Sequence, residues 1–270
     1  MSDEHDVPSD STDSVGEDHA PPATPNPREA LNQQEALNQP QAFDQSEALD
    51  EPGALDAIGE QLPLLEGIRT ARAIRRLRPD PVPRGLIRKV CEAGTFAPSG
   101  GNRQPWFFIA VDDPEKRRWI ASKYLPIFRD YIIPAMERAE RENFPERLRR
   151  NMRASLHLAE HLHEAPVLLF IAGWKRRGEL QSEAIFPCAQ NVLLACRAVG
   201  LGASFTTLHR SFGKECDQML GLPEKIPSAV MLPIGWPLGK HGVPPRASVD
   251  SKLFFDEFDP SVIQEKRTIA

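Results

Sequence analysis

Three stretches of the chain carry side chains suited to holding a small charged ligand. In Arg69-Thr70-Ala71-Arg72-Ala73-Ile74-Arg75-Arg76-Leu77-Arg78, five arginines fall within ten residues. If the stretch is helical, Arg72, Arg75 and Arg76 share one side, because residues three and four apart are neighbours on a helix. Guanidinium forks donate two bonds at once to a phosphate, although an arginine-rich helix face can equally be a solvated surface. The second stretch is Ala97-Pro98-Ser99-Gly100-Gly101-Asn102-Arg103-Gln104-Pro105. Adjacent glycines permit positive φ and close approach of backbone to a flat ligand, and Asn102 offers both a donor and an acceptor on a short arm. That suits the polar edge of a pyrimidine-like ring; the plainer alternative is a turn at the mouth of a strand. In the third stretch, Pro233-Ile234-Gly235-Trp236-Pro237 is followed by Lys240 and Arg246, cations that could close over another side of the same ligand.

A fourth pattern, His157-Leu158-Ala159-Glu160-His161, has the HxxEH form of a zinc peptidase helix. So short a match arises readily in a helix that also holds His163 and Glu164, so the expectation is a surface or interface helix and no metal site. No side chain is set up as a nucleophile.

The elements that must position these residues follow from apolar spacing and punctuation. Helices are expected over Leu64–Leu77 and from Pro83 to Ala93, the second stopped by Gly94. Trp106–Val111 reads as a buried strand closed by Asp112-Asp113-Pro114. Charged amphipathic helices fill most of Glu115–Glu164, with breaks predicted near Pro126, Pro134 and Pro145. A second buried strand follows at Val167–Ala172, then a long helix from Ser182 to Val199 ended by Gly200. Short strands at Gly202–Thr207 and Ala229–Ile234 flank a small helix over Lys214–Leu220. The pattern predicts an α+β fold with a sheet sandwiched by helices.

The 270 residues carry a net charge of −5, which conceals an asymmetry. Residues 1–60 hold fifteen Asp and Glu against Arg28 alone, a balance of −14, so residues 61–270 carry +9. Basic residues there alternate with Glu along the expected helices, which favours a phosphate-bearing cofactor over nucleic acid as the partner. The acidic segment, rich in Pro, Gln and Ser, is expected to be a disordered tail. Within it a six-residue repeat (Ala30-Leu31-Asn32-Gln33, Ala36-Leu37-Asn38-Gln39 and three further copies) moves each Leu to a new helix face, so no apolar stripe forms. The acidic opening Met1-Ser2-Asp3-Glu4 lacks the basic start of a secretory leader, and the longest apolar run, Ala165–Trp174, is too short to span a bilayer. Cys91, Cys188, Cys196 and Cys216 stand far apart without CxxC spacing, which suits a reducing cytoplasm.

Taken in order and spacing, these segments resemble the FMN-dependent nitroreductase family, from about Leu65 to Phe258. The matched pieces are Arg72–Pro83, Ala97–Trp106 and Gln190–Gly202. The resemblance implies a nitroreductase-like mixed sheet between helices, an intertwined homodimer, and an FMN-binding domain over residues 61–270. It further implies that Arg72, Ala73 and Arg75 hold the FMN phosphate and ribityl chain, with Arg246 as a late phosphate-binding cation. Pro98, Ser99, Gly100 and Asn102 would reach the flavin of the other subunit, and Thr206, Thr207 and Leu208 would lie beside its reactive edge. Ala73 stands where the family usually has Ser, so Thr70 or another arginine is expected to supply the missing contact. Thr207 stands where some relatives have an acid, so the acceptor pocket is expected to differ. The implied activity is reduction of nitroaromatics, quinones or similar electron-poor molecules by NADH or NADPH, in ping-pong fashion, with the hydride carried at flavin N5 and no catalytic side chain. Enone reduction, dehalogenation and mere flavin sequestration share the same motifs. With no GxGxxG fingerprint, FMN is expected and not a dinucleotide flavin.

Overall fold

The computed structural model of the protein describes residues 59–262, apart from 177 and 181. Nearly all of the expected acidic tail, with its repeats, lies outside the described residues. The axis of the fold is strand β3, Val167–Gly173, every residue of which is buried, as an unbroken apolar run requires of a strand covered on both faces. It is flanked by β2, Trp106–Val111, and β7, Ser228–Pro237. Strand β7 also pairs with β1, Leu77–Arg78, and with β6, Gly202–Ala203. A separate small hairpin joins β4, Lys175–Arg176, to β5, Glu179–Leu180.

Helices α1, Leu64–Thr70, α2, Arg84–Thr95, α3, Pro114–Arg141, α4, Glu146–Glu160, α5, Ser182–Ala198, and α6, Gly213–Met219, complete the fold. Strand alternation sorts them into two layers. Val167, Leu169 and Ile171 pack with α2 and α5, through Leu86, Val90, Ile185, Cys188 and Val192. Leu168 and Phe170 face the other way, onto Ile120 and Tyr124 of α3, Leu158 of α4 and Cys216 of α6. The α+β sandwich is as expected. The sheet itself was expected to be mixed, but every pairing among the described strands is antiparallel. Helices α3 and α4 run out and back between β2 and β3, returning the chain to the end of the sheet it left, so β3 must run opposite to β2.

Other differences have local causes. The helix expected over Leu64–Leu77 ends at Thr70, Ala71 is extended, and residues 71–76 form no regular secondary structure. Ile74 N–H donates to the Ala203 carbonyl at 2.9 Å, and Leu77 and Arg78 pair with Pro237 and Trp236. Sheet bonding outweighs the helix preference of Ala and Arg, both good helix formers, and Pro79 disfavours helix at Arg78. The breaks predicted at Pro126 and Pro134 do not occur: α3 continues through both. Each proline is exposed, as are Ser122 and Asp130 four residues earlier, so water can reach the carbonyls that the prolines leave without an N–H partner. The predicted break at Pro145 does separate α3 from α4. Gly94 was expected to stop α2 but lies inside it, where a Cβ would come within 2.8 Å of Val192. Close approach of α2 to α5 is what requires glycine there. The strand expected over Gly202–Thr207 is regular only at Gly202–Ala203, resuming as a single bridge from Thr206 to Met231. Opposite Ser204 stands Pro233, which has no N–H to give the ladder.

Candidate functional site

The arginine segment is built on the sheet and not on a helix, which corrects the expected helical grouping of Arg72, Arg75 and Arg76. Its anchor is buried Ile74, packed on the bare backbone of Gly202. A Cβ at Gly202 would approach Ile74 Cγ2 to 2.7 Å and Leu77 Cδ2 to 3.1 Å. Gly202→Ala is therefore expected to push the segment off β6 and cost about 1–3 kcal/mol of stability. A urea unfolding midpoint equal to that of the parent protein would show instead that the segment yields freely.

Arg72 and Arg75 flank the anchor in sequence, and their charges are close enough to repel. Arg75 is half-buried, and this burial lowers its pKa from the ordinary value; Tyr124 acts in the opposite direction and Arg72 in the same one. Neither arginine forms an ion pair with a described carboxylate, whereas Arg78, outside the proposed trio, pairs with Asp80 at 3.5 Å. Tyr124, on α3, reaches the Thr206 hydroxyl at 2.9 Å. Burial raises the Tyr124 pKa, with the Thr206 hydrogen bond and the Arg75 charge opposing. Thr206 Oγ1 also accepts from the Leu208 N–H at 3.3 Å, and Thr207 leads into a single 3-10 turn over Leu208–Phe212. The fold thus gathers Arg72, Ala73, Arg75, Thr206, Thr207 and Leu208 at one edge of the sheet. Tyr124 escaped the sequence reading; its only signal was helical spacing from Ile120 to Phe128, which marks a buried stripe but not a partner.

The Thr70 hydroxyl is engaged within the chain. Buried, it donates to the Glu66 carbonyl at 2.7 Å and accepts from Arg197 Nε at 2.9 Å. Arg197, in the last turn of α5, is the cation this arrangement holds beside the segment. His241, just after β7, is within reach of the charges of both Arg197 and Arg72 and contacts the Leu201 carbonyl through Nε2 at 3.2 Å. Arg246 is exposed and donates to the Pro245 carbonyl, with no described contact to the other arginines.

The Pro98 loop stands elsewhere. Positive φ occurs at Gly101, 63°, Asn102, 51°, and Gln104, 49°. Ser99 Oγ holds the Gln104 N–H at 3.0 Å, and Asn102 Oδ1 accepts from Gln104 Nε2 at 3.1 Å. Pro98, Ser99 and Gly100 line a surface depression completed by Glu183 and Ala184 at the start of α5. From Ala184 to Arg197 the helix rises about 20 Å, so one chain does not bring the loop to the arginine segment. The HxxEH pattern lies at the end of α4, where the His157 and His161 rings stack at 4.1 Å. Among the described residues no group of three or more His, Cys, Asp or Glu could hold a metal ion.

The chain is similar to several known proteins. Rat iodotyrosine deiodinase 1 (Rattus norvegicus) is 28% identical over 187 residues, covering 64% of this chain and 61% of the relative, so less than two thirds of that protein is matched. The 5,6-dimethylbenzimidazole synthase of Rhodospirillum rubrum is 27% identical over 175 residues, 64% of this chain and 81% of the relative. The fold is shared with an iodotyrosine deiodinase solved with FMN and 3-iodo-L-tyrosine, at a TM-score of 0.58 and 23% identity over 73% of this chain and 100% of that one. Residues 68–236, more than half of the sequence, match the model of the Nitroreductase family, and the chain belongs to that family.

Proposed function

We propose that the protein is an FMN-dependent oxidoreductase that takes reducing equivalents from NADH or NADPH and passes them to a small electron-poor acceptor. The observation that carries this reading is Arg75, half-buried beside Arg72 with no carboxylate partner among the described residues. Buried charge is costly unless paired, so this edge of the sheet suits a strong anion such as a terminal phosphate. Bound FMN supplies hydride acceptance at N5 and electron delivery to the acceptor. Arg72 and Arg75 hold its phosphate, and backbone near Thr206, Thr207 and Leu208 favours negative charge on the reduced ring. Reductant and acceptor then exchange in turn at one open site, which gives ping-pong kinetics.

The active form is a homodimer in this reading, with Pro98, Ser99, Gly100 and Asn102 serving the partner's flavin. Support comes from the separation of loop and arginines, and from apolar surface beside the loop. Phe96 is 80% exposed, and Phe107 packs edge-on against exposed Trp174. Exposed apolar area of this kind commonly marks protein contact. No helix among the described residues is long and apolar enough to cross a membrane, and the four cysteines are free. We place the protein in the cytoplasm.

A second reading, reductive dehalogenation at the same site, is favoured by the similarity to iodotyrosine deiodinases. One anaerobic experiment separates the readings. The purified protein should be yellow, release FMN on denaturation and lose its flavin absorbance on addition of NADH or NADPH. Recovery of absorbance on adding a nitroaromatic or quinone supports the first reading, and recovery with 3-iodotyrosine alone the second. Bound FMN that neither nicotinamide reduces would point to flavin sequestration, and a colourless protein that takes up no FMN would overturn both.

A further inference from the structure

Near the arginine segment, His241 has only one of its two ring nitrogens partnered. A carbonyl oxygen can only accept, so the 3.2 Å contact to Leu201 O places the ring proton on Nε2. Nδ1 is then a bare lone pair, shut away from water and without a hydrogen-bond partner. The Thr70 backbone, like the Leu201 carbonyl, favours the protonated ring. Its carbonyl could accept a bond only if Nδ1 carried a proton as well. Two positive groups face the ring: Arg72 from the arginine segment and Arg197 from α5, the latter partly offset by Glu66.

We propose that His241 is a positioning residue of the phosphate site, uncharged in the free protein and gaining a proton when a phosphate dianion settles on Arg72. This rests on the phosphate reading of the arginine segment. In the free protein, burial first, then Arg197 and Arg72, push the His241 pKa down to about 4, against the pull of the Leu201 and Thr70 carbonyls. A dianion offsets the two guanidinium charges, and the penalty for a third positive charge falls with them. Water or buffer supplies the proton, a new Nδ1–H bond forms, and its donor turns to the Thr70 carbonyl. Thr70 is the residue whose hydroxyl already holds Arg197. The charged ring thus tightens the shell behind the arginines without touching the ligand, and FMN affinity becomes linked to pH.

Calorimetric titration of FMN into the flavin-stripped protein, in buffers of differing ionisation enthalpy, counts the protons taken up. Near neutral pH the wild-type protein should gain a proton fraction on FMN binding that H241Q does not. Its affinity should fall with rising pH more steeply than that of H241Q, by up to about tenfold per pH unit. Riboflavin, which lacks the phosphate, should bind the wild-type protein with no such uptake, a comparison that needs no variant. Equal uptake in wild type and H241Q, or equal uptake with FMN and riboflavin, would overturn the role of His241 while leaving the flavin reading intact. If the wild-type protein binds neither flavin, the flavin reading itself fails, and this proposal with it.

Discussion

A mixed dimer of one Arg72→Ala chain and one Asn102→Ala chain is expected to fill half of its flavin sites under conditions where both parent homodimers are nearly empty. Removing a charge-assisted phosphate contact weakens binding by about 1.5–3 kcal/mol, roughly ten- to a hundredfold. If the Asn102 loop reaches across to its partner, one site of the mixed dimer carries both lesions and the other carries neither. Truncations in separate sites do not couple, so the intact site should bind as in the wild type. Differently tagged chains, co-expressed and isolated as the heterodimer, allow the FMN titration to be made directly. Two equally weak sites would show that loop and arginines serve one flavin within a single chain. Given the length of α5 between them, that outcome would require a rearrangement of the fold described above.

Phe170→Ala should be the most damaging of these substitutions to stability, lowering it by about 3–5 kcal/mol in urea or thermal unfolding. Phe170 is fully buried at the centre of β3 and meets the edge of His209 at 5.4 Å. A cost of that size is a large part of the roughly 5–15 kcal/mol that separates folded from unfolded states. Phe170→Leu, which keeps most of the volume, should cost much less; equal losses would mean that the aromatic edge contact and not the cavity dominates. The same cluster makes stability fall in acid. Burial holds the His209 pKa at about 4, with the Ser228 carbonyl pulling it up and Arg210 pushing it down. Unfolded, the imidazole protonates near pH 6.5, about its unperturbed value. The contribution of neutral His209 is therefore complete above that pH and is lost progressively as pH falls toward about 4.

Strands β2 and β3 were legible because each is a continuous apolar run of strand length between turn residues, a signal that needs no knowledge of partners. Helices α5 and α6 were likewise placed to within about a residue by their caps and apolar spacing. The arginine segment was misread because its local preference is helical, while its conformation is decided by Ala203, more than a hundred residues away. Positive φ in the Pro98 loop was readable from its glycines, but its extension to Gln104 was not, since the bond from Ser99 that holds it is local geometry with no compositional mark. Tyr124 and His241 were missed for the same reason as each other. Their partners, Thr206 and Leu201, lie 82 and 40 residues away, and nothing in a single sequence pairs them.

Strand β3 pairs only with residues more than fifty positions distant on either side. During synthesis its apolar run therefore leaves the ribosome with β2 available as a neighbour but β7 not yet made. The wait covers the 54 residues between Gly173 and Ser228, which at about 5–20 residues per second lasts several seconds. Throughout that interval a strand with no charged side chain presents one unpaired edge to solvent, the condition under which nascent chains associate with one another or with chaperones. Once β7 arrives, the amide protons of β3 are bonded on both sides and sealed beneath two helical layers, and their exchange with solvent should require global unfolding. The segment most at risk while the chain is being made is thus the one that becomes slowest to open once the sheet has closed.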